Sequence, residues 1–128
     1  MDFEMSGDEL MFFNNMPDML PLYEKLRGAL ASRYPDMEIK VSKTQISFRN
    51  KYGFAMASLP WRRVSGRPER YLLVSFGLSY EKRSPRIAEA VEAYPNRWTH
   101  HVIVTEQGQI DAELLAWLAE AYDFSMMK

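Results

Sequence analysis

The sequence has no cysteine, which excludes disulfide bonds, thiolate nucleophiles and thiolate metal ligands together. Its two histidines are too few for a typical zinc site, and there is no HExxH spacing. Its six glycines never stand close enough for a GxGxxG or phosphate-loop motif. No apolar run approaches the roughly 20 residues of a membrane span. We therefore expect a soluble, cytoplasmic protein without a metal or cofactor.

The composition is that of a folded domain. The 128 residues are 47% hydrophobic and 13% aromatic, enough for one hydrophobic core. We predict a single domain over residues 1–128 with its core in 17–125. Residues 1–16 contain four acids and no basic region, so they do not resemble a targeting segment. They are expected to form an extra helix or an arm, and their methionines and phenylalanines would suit a partner or a homodimer contact.

The net charge of −1 hides a strong segregation of charge along the chain. Residues 1–38 hold eight acids and three bases, residues 39–102 hold twelve bases and four acids, and residues 103–128 hold five acids and one base. Such an asymmetry is typical either of an anion-binding face or of acidic helices packed beside a basic sheet.

The hydrophobic period changes along the chain. Apolar residues at helical spacing predict a first helix after Asp18 that ends before Pro35. Alternating residues from Met37 onward predict four strands, the first two joined by a tight turn at Ser42 and Lys43. Ser84 and Pro85 favour a short helix, RWTHHVIVT reads as the last strand, and Asp111 can cap a final helix. The predicted fold is α+β: one mostly antiparallel sheet of about five strands, with the N-terminal and C-terminal helices on one face.

Several segments together resemble a family of small bacterial domains known only as a domain of unknown function. The segments are KTQISFRNKYGFAMASLP, YLLVSFGL, NRWTHHVIVT and IDAELLAWLAEAY. The recurring positions of that family match Lys43, Phe54 with Ala55, Gly77 with Leu78, Thr99 with His100, and Ala121 with Tyr122. The resemblance runs from about Leu22 to Tyr122. It implies an accessory or binding role, because such domains occur alone or as terminal modules, and it brings no activity with it.

The adjacent histidines do not predict a shared site. Neighbouring side chains of a strand point to opposite faces, so His100 lies with Val102 while His101 lies with Ile103. His100 is expected in the core or as the polar member of an apolar pocket, and His101 toward solvent. No serine lies in a Gly-x-Ser-x-Gly elbow. No catalytic residue is therefore assigned.

The basic residues predict two loops that could form one positive rim. Arginines follow Trp61, and further bases lie around the start of the predicted short helix, with Tyr71 and Tyr80 between them. If the loops share an edge of the sheet, arginine forks and aromatic rings would suit single-stranded nucleic acid or a phosphorylated ligand. The residues of this hypothesis are Arg62, Arg63, Arg67, Arg70, Lys82 and Arg83. The chain's pI of about 6.1 is far below that of dedicated nucleic-acid modules.

The sequence leaves three hypotheses about function. The first is a non-enzymatic binding or accessory module for a small anionic ligand or a protein, with Lys43, Arg49 and His100 at the site. The second is a nucleic-acid-binding module using the arginine-rich loops. The third is an enzyme of unknown type centred on His100, for which the sequence offers no nucleophile, base or metal partner at a characteristic spacing.

Overall fold

A computed structural model describes residues 5–127 of the chain. It contains three α-helices and six strands in one sheet. The helices are α1 (Gly7–Phe12), α2 (Leu20–Arg33) and α3 (Ala112–Met126). The strands are β1 (Glu38–Val41), β2 (Ile46–Arg49), β3 (Gly53–Ser58), β4 (Leu72–Leu78), β5 (Ile87–Tyr94) and β6 (Arg97–Val104). Short 3-10 turns cover Pro17–Met19 and Gln107–Gln109.

The sheet has the strand order β1-β2-β3-β4-β6-β5, and every adjacent pair is antiparallel. Register places Phe48 beside Ala55, Ala55 beside Phe76 and Phe76 beside His100. Because side chains alternate along a strand, these residues share the face that carries the core. The predicted α+β class with a mostly antiparallel sheet is confirmed, and the sheet has six strands where about five were expected.

Helices α2 and α3 supply the other half of the core. The last helix buries an apolar stripe at Leu114, Trp117, Leu118 and Ala121. Asp111 caps that helix by accepting a hydrogen bond from the Leu114 amide at 3.0 Å. Asp18 lies in the 3-10 turn ahead of α2 and binds Arg70 through both carboxylate oxygens, and the N-cap position of α2 is Met19.

The predicted helix after Ser84 is wrong, because residues Ile87–Tyr94 form strand β5. Alanine and glutamate favour helix, and Ile87 and Val91 have helical spacing, yet pairing with β6 overrides this local preference. The Ser84 hydroxyl accepts from the Arg86 amide in a local turn and caps no helix. Asn96, with φ of 63°, makes the tight connection between β5 and β6.

Strands β4 and β5 run in the same direction on either side of β6, so residues 79–86 must cross β6 to connect them. This crossing segment lies on the helix side of the sheet, where Lys82 contacts His100 and Arg86 contacts α3. In the loop after β3, residues 59–71, Arg67 lines a cavity with Gln45, Ser58 and Leu73, which alternate with core residues, whereas Arg70 binds Asp18 ahead of α2. Arg67 and Lys82, one from each basic loop, thus lie on different faces of the sheet, because Arg67 binds Glu89 beside His101 and the Lys82 amide binds His100.

The N-terminal segment is helical and docked. Ser6 begins α1 with a capping box, in which its hydroxyl accepts from the Glu9 amide and Glu9 accepts from the Ser6 amide. Phe13, which follows α1, is buried in the core. Of the predicted arm over residues 1–16, residues 5–16 thus form an extra helix and turn, and residues 1–4 lie outside the described part.

Candidate ligand-binding site

The structure does not bring the predicted trio of Lys43, Arg49 and His100 together. Lys43 lies in the turn between β1 and β2, whereas Arg49 lies at the far end of β2. Arg49 alternates with the core residue Phe48 and so points to the face opposite the helices. His100 lies within the core face of β6.

His100 is fully buried and stacks on the Phe76 ring with centroids 5.0 Å apart. Its Nε2 accepts a hydrogen bond from the Lys82 amide at 2.9 Å, which places the ring proton on Nδ1. Nδ1 has no hydrogen-bond partner among the described residues. Burial lowers the pKa of His100, and the Lys82 charge acts in the same direction. The ring is thus a neutral core group without access for a substrate.

His101 lies on the opposite face, as strand alternation predicts. Its Nδ1 is 2.7 Å from the hydroxyl of the buried Ser75, and Glu89 is its cross-strand neighbour. Burial lowers the pKa of His101 as well. The ring is half-buried and is less solvent-exposed than the sequence suggested.

Most of the predicted basic rim is neutralised within the fold. Five of its six residues pair with carboxylates: Arg63 with Glu69, Arg67 with Glu89, Arg70 with Asp18, Lys82 with Glu120, and Arg83 with Glu81. Arg62 forms no ion pair among the described residues and lies over the Trp61 ring, 5.2 Å from its centroid. Little unpaired positive charge remains in this set to contact phosphates.

The larger of two adjacent cavities is an open groove of about 660 Å³ between α1, the β1–β2 turn and the start of the loop after β3. We call it the apolar groove. Its apolar walls come from Met11, Phe12, Met16, Val41, Leu59, Pro60 and Trp61. Asp8 and Lys43 also line it, and neither is in an ion pair within the described residues. Trp61 is 87% exposed, which is unusual for a large aromatic side chain in a folded domain.

The α1 wall of the groove is held by a buried ion pair. Glu9, with 2% of its surface exposed, accepts from Arg27 Nε at 2.7 Å and from the Tyr23 hydroxyl. Desolvation raises the pKa of Glu9, but hydrogen bonds from Arg27, Tyr23 and Ser6 outweigh it, so the net pKa is lowered. Glu9 is therefore ionised at neutral pH and ties α1 to α2.

The second cavity, of about 280 Å³, lies beneath the loop after β3 on the face opposite the helices. We call it the arginine cavity. Arg62 and Arg67 line it together with the polar residues Thr44, Gln45, Ser58 and Tyr71. It shares Thr44, Leu59, Pro60 and Trp61 with the apolar groove, so the two cavities are adjacent and these four residues form the ridge between them.

In the sequence, Lys43 belongs to the ligand-site hypothesis, whereas Trp61, Arg62 and Arg67 belong to the basic-rim hypothesis. Neither hypothesis connects them to Met11 and Phe12, which lie more than thirty positions away along the chain. A usable signal was the Leu-Pro-Trp run directly after a strand, since proline ends the strand and leaves the tryptophan in a loop.

Two further features of the described residues bear on the chemistry. Within residues 5–127, no group of three or more histidine, cysteine, aspartate or glutamate side chains could hold a metal ion. In the same part of the chain, every helix is too short or too polar to cross a lipid bilayer.

Fold and cavities together define a small α+β domain with a two-part groove at one end of its sheet. Residues 11–125 match the model of the domain of unknown function DUF5655, and the chain belongs to that family. No curated protein matches the chain, and no solved structure matches it. The resemblance noted in the sequence is thus confirmed as membership of a family without an assigned activity.

Proposed function

We propose that this protein is a non-enzymatic binding module that holds a small, largely apolar molecule in the apolar groove. The observation that carries the proposal is the groove itself, with a volume of about 660 Å³ and seven apolar residues in its walls. That volume lies in the range of small-molecule sites, which are mostly apolar with a few polar groups.

The exposed aromatic ring on the ridge supports the same function. Trp61 and Met11 are 87% and 66% exposed, so they leave apolar surface in water that a ligand would cover. Lys43 is the basic residue of the groove wall, and this position supports its predicted role in binding. The anchored helix α1 makes the groove largely pre-formed, which reduces the entropy lost on binding.

A fluorescence titration with N-phenyl-1-naphthylamine, an uncharged probe that brightens in apolar surroundings, tests the proposal. The wild-type protein is expected to bind the probe saturably. Trp61→Ser removes one wall of the site, and the loss of about 1 kcal/mol of apolar contact raises the Kd roughly fivefold.

Tyr94→Ser is the matched control, because Tyr94 is also an exposed aromatic residue, 72% exposed, but lies at the β5–β6 turn away from the groove. This variant should bind like the wild type. No saturable binding by the wild type, or equal binding by Trp61→Ser, would contradict the proposal.

A further inference from the structure

The arginine cavity has the chemistry of an anion site. Arg62 and Arg67 line it, and Thr44, Gln45 and Ser58 add side chains that can donate hydrogen bonds. None of its lining residues is an aspartate or glutamate. Guanidinium groups bind carboxylate, phosphate and sulfonate groups through paired N–H donors. The cavity is therefore complementary to a negatively charged group.

Arg67 is held in place before any ligand arrives. Its side chain is 18% exposed, and Nη2 donates to Glu89 at 3.1 Å. The hydroxyl of Tyr71, which is buried, and then the Glu89 carboxylate raise the pKa of Arg67. A guanidinium has five N–H donors, so the bond to Glu89 leaves donors for a ligand.

Arg62 supplies the second guanidinium without a competing carboxylate. It has no ion pair among the described residues, and its guanidinium lies over the Trp61 ring that both cavities share. A ligand that covers Trp61 would therefore meet Arg62 as well. The cation and the apolar ridge form one continuous surface.

We infer that the arginine cavity is the acidic-group subsite of the ligand, and that the ligand is a free amphipathic anion. The acidic group lies between Arg62 and Arg67, and the apolar body crosses the Trp61 ridge into the apolar groove. This inference rests on the proposed function, since it requires a ligand in the groove.

The opposite orientation, with the acidic group beside Lys43, is disfavoured by charge. Lys43 shares the apolar groove with Asp8, whose carboxylate would repel an anion, whereas the arginine cavity is lined by two arginines, only one of which pairs with a carboxylate, that of Glu89. The cavity volumes agree with this division, because about 280 Å³ suits a compact polar group and about 660 Å³ an apolar body.

Two probes with the same ring system separate the subsites. N-phenyl-1-naphthylamine is uncharged, and 8-anilinonaphthalene-1-sulfonate carries an added sulfonate that stands in for the acidic group. Both are titrated into the wild type and into Arg62→Gln, at low and near-physiological salt. We expect the wild type to prefer the sulfonate. Arg62→Gln should raise the Kd of the sulfonate about tenfold and change that of the neutral probe less than twofold.

Arg63→Gln is the matched control. Arg63 is the next residue in the same loop, has the same charge and is 75% exposed, but it lines neither cavity. It should bind both probes like the wild type. Arg67→Gln, used only if its melting temperature stays near that of the wild type, should weaken the sulfonate selectively as Arg62→Gln does.

The possible failures are distinguishable. If neither probe binds, the proposed function fails and the inference with it. If the neutral probe binds but the sulfonate binds no tighter, only the anion subsite is refuted. The same holds if the tighter binding of the sulfonate is lost in Lys43→Gln and kept in Arg62→Gln. Sedimentation with phosphatidylglycerol vesicles tests whether the anion is a free molecule or a lipid headgroup. If the protein binds the vesicles but not the free sulfonate, the inference of a free ligand is refuted.

Discussion

The buried contact between α1 and α2 gives the sharpest test of how this fold is held. Glu9 accepts four hydrogen bonds, from the Ser6 amide at 2.9 Å, the Tyr23 hydroxyl, and Arg27 Nε and Nη2 at 2.7 and 3.3 Å. Glu9→Gln removes the charge and turns one acceptor into a donor that faces other donors. Removing one partner of a buried ion pair costs about 3–5 kcal/mol. We expect a loss near the lower end, about 3 kcal/mol, because the amide oxygen still accepts.

Urea denaturation followed by circular dichroism measures this loss. Glu24→Gln is the control, since Glu24 is an exposed carboxylate on α2 without an ion pair among the described residues, and it should change the unfolding free energy by less than about 0.5 kcal/mol. A loss below about 1 kcal/mol in Glu9→Gln would refute the buried-anchor argument.

The pH dependence provides a second check on Glu9. Its pKa in the folded protein lies below the ordinary 4.5. The unfolded chain therefore takes up a proton first, so the stabilisation is fully present above about pH 4.5 and is lost as pH falls through the folded pKa. The difference in unfolding free energy between wild type and Glu9→Gln should be constant near neutral pH and should shrink in acid.

Two further predictions test the core and the backbone. His100→Ala leaves a cavity beside Phe76 and an unpaired Lys82 amide, so it should lower the unfolding free energy by about 2–4 kcal/mol in thermal or urea melts, and an unchanged melting temperature would contradict the core assignment. Since burial lowers the pKa of His100 below 6.5, its stabilisation is present above that pH and declines below it. Gly28 and Gly66 form a matched pair, because an added Cβ would meet nothing within 4 Å at either site. Gly28→Ala in α2 should raise the unfolding free energy by about 0.5–1 kcal/mol, whereas Gly66→Ala, at φ of 84°, should lower it by about 1 kcal/mol. Changes of the same sign would refute the role given to the positive φ of Gly66.

The fold was predictable where local pattern and burial agree. The alternation in β2 and β4 and the stripe of α3 follow directly from one apolar face packing on the core. The prediction for β5 failed because β5 is an edge strand with six of its eight residues exposed. It therefore lacks the strict alternation of apolar and polar residues that distinguishes a strand from a helix. Its conformation depends on hydrogen bonds to β6, which a local sequence window does not contain.

The candidate site was harder to predict because it is assembled from distant segments. Lys43 and Trp61 become neighbours of the same groove only after β2 and β3 pair and α1 docks on α2. The charges of the arginine set were visible in the sequence, but their carboxylate partners, such as Asp18 for Arg70 and Glu120 for Lys82, were not. A count of bases therefore overstated the positive surface, and Arg62, the one member of the set without an ion pair among the described residues, lies at the shared ridge.

The docking of α1 links the stability of the fold to ligand binding. A helix of six residues does not persist in water by itself, because the cost of nucleating it exceeds what so few backbone hydrogen bonds return. Its position must come from tertiary contacts, and the Glu9–Arg27 pair and Phe13 provide them. Since α1 carries Met11 and Phe12 of the groove wall, Glu9→Gln should weaken the binding of N-phenyl-1-naphthylamine as well as stability. Binding that stays unchanged in a variant destabilised by about 3 kcal/mol would refute this coupling, because α1 would then keep its place through Phe13 without the Glu9–Arg27 pair.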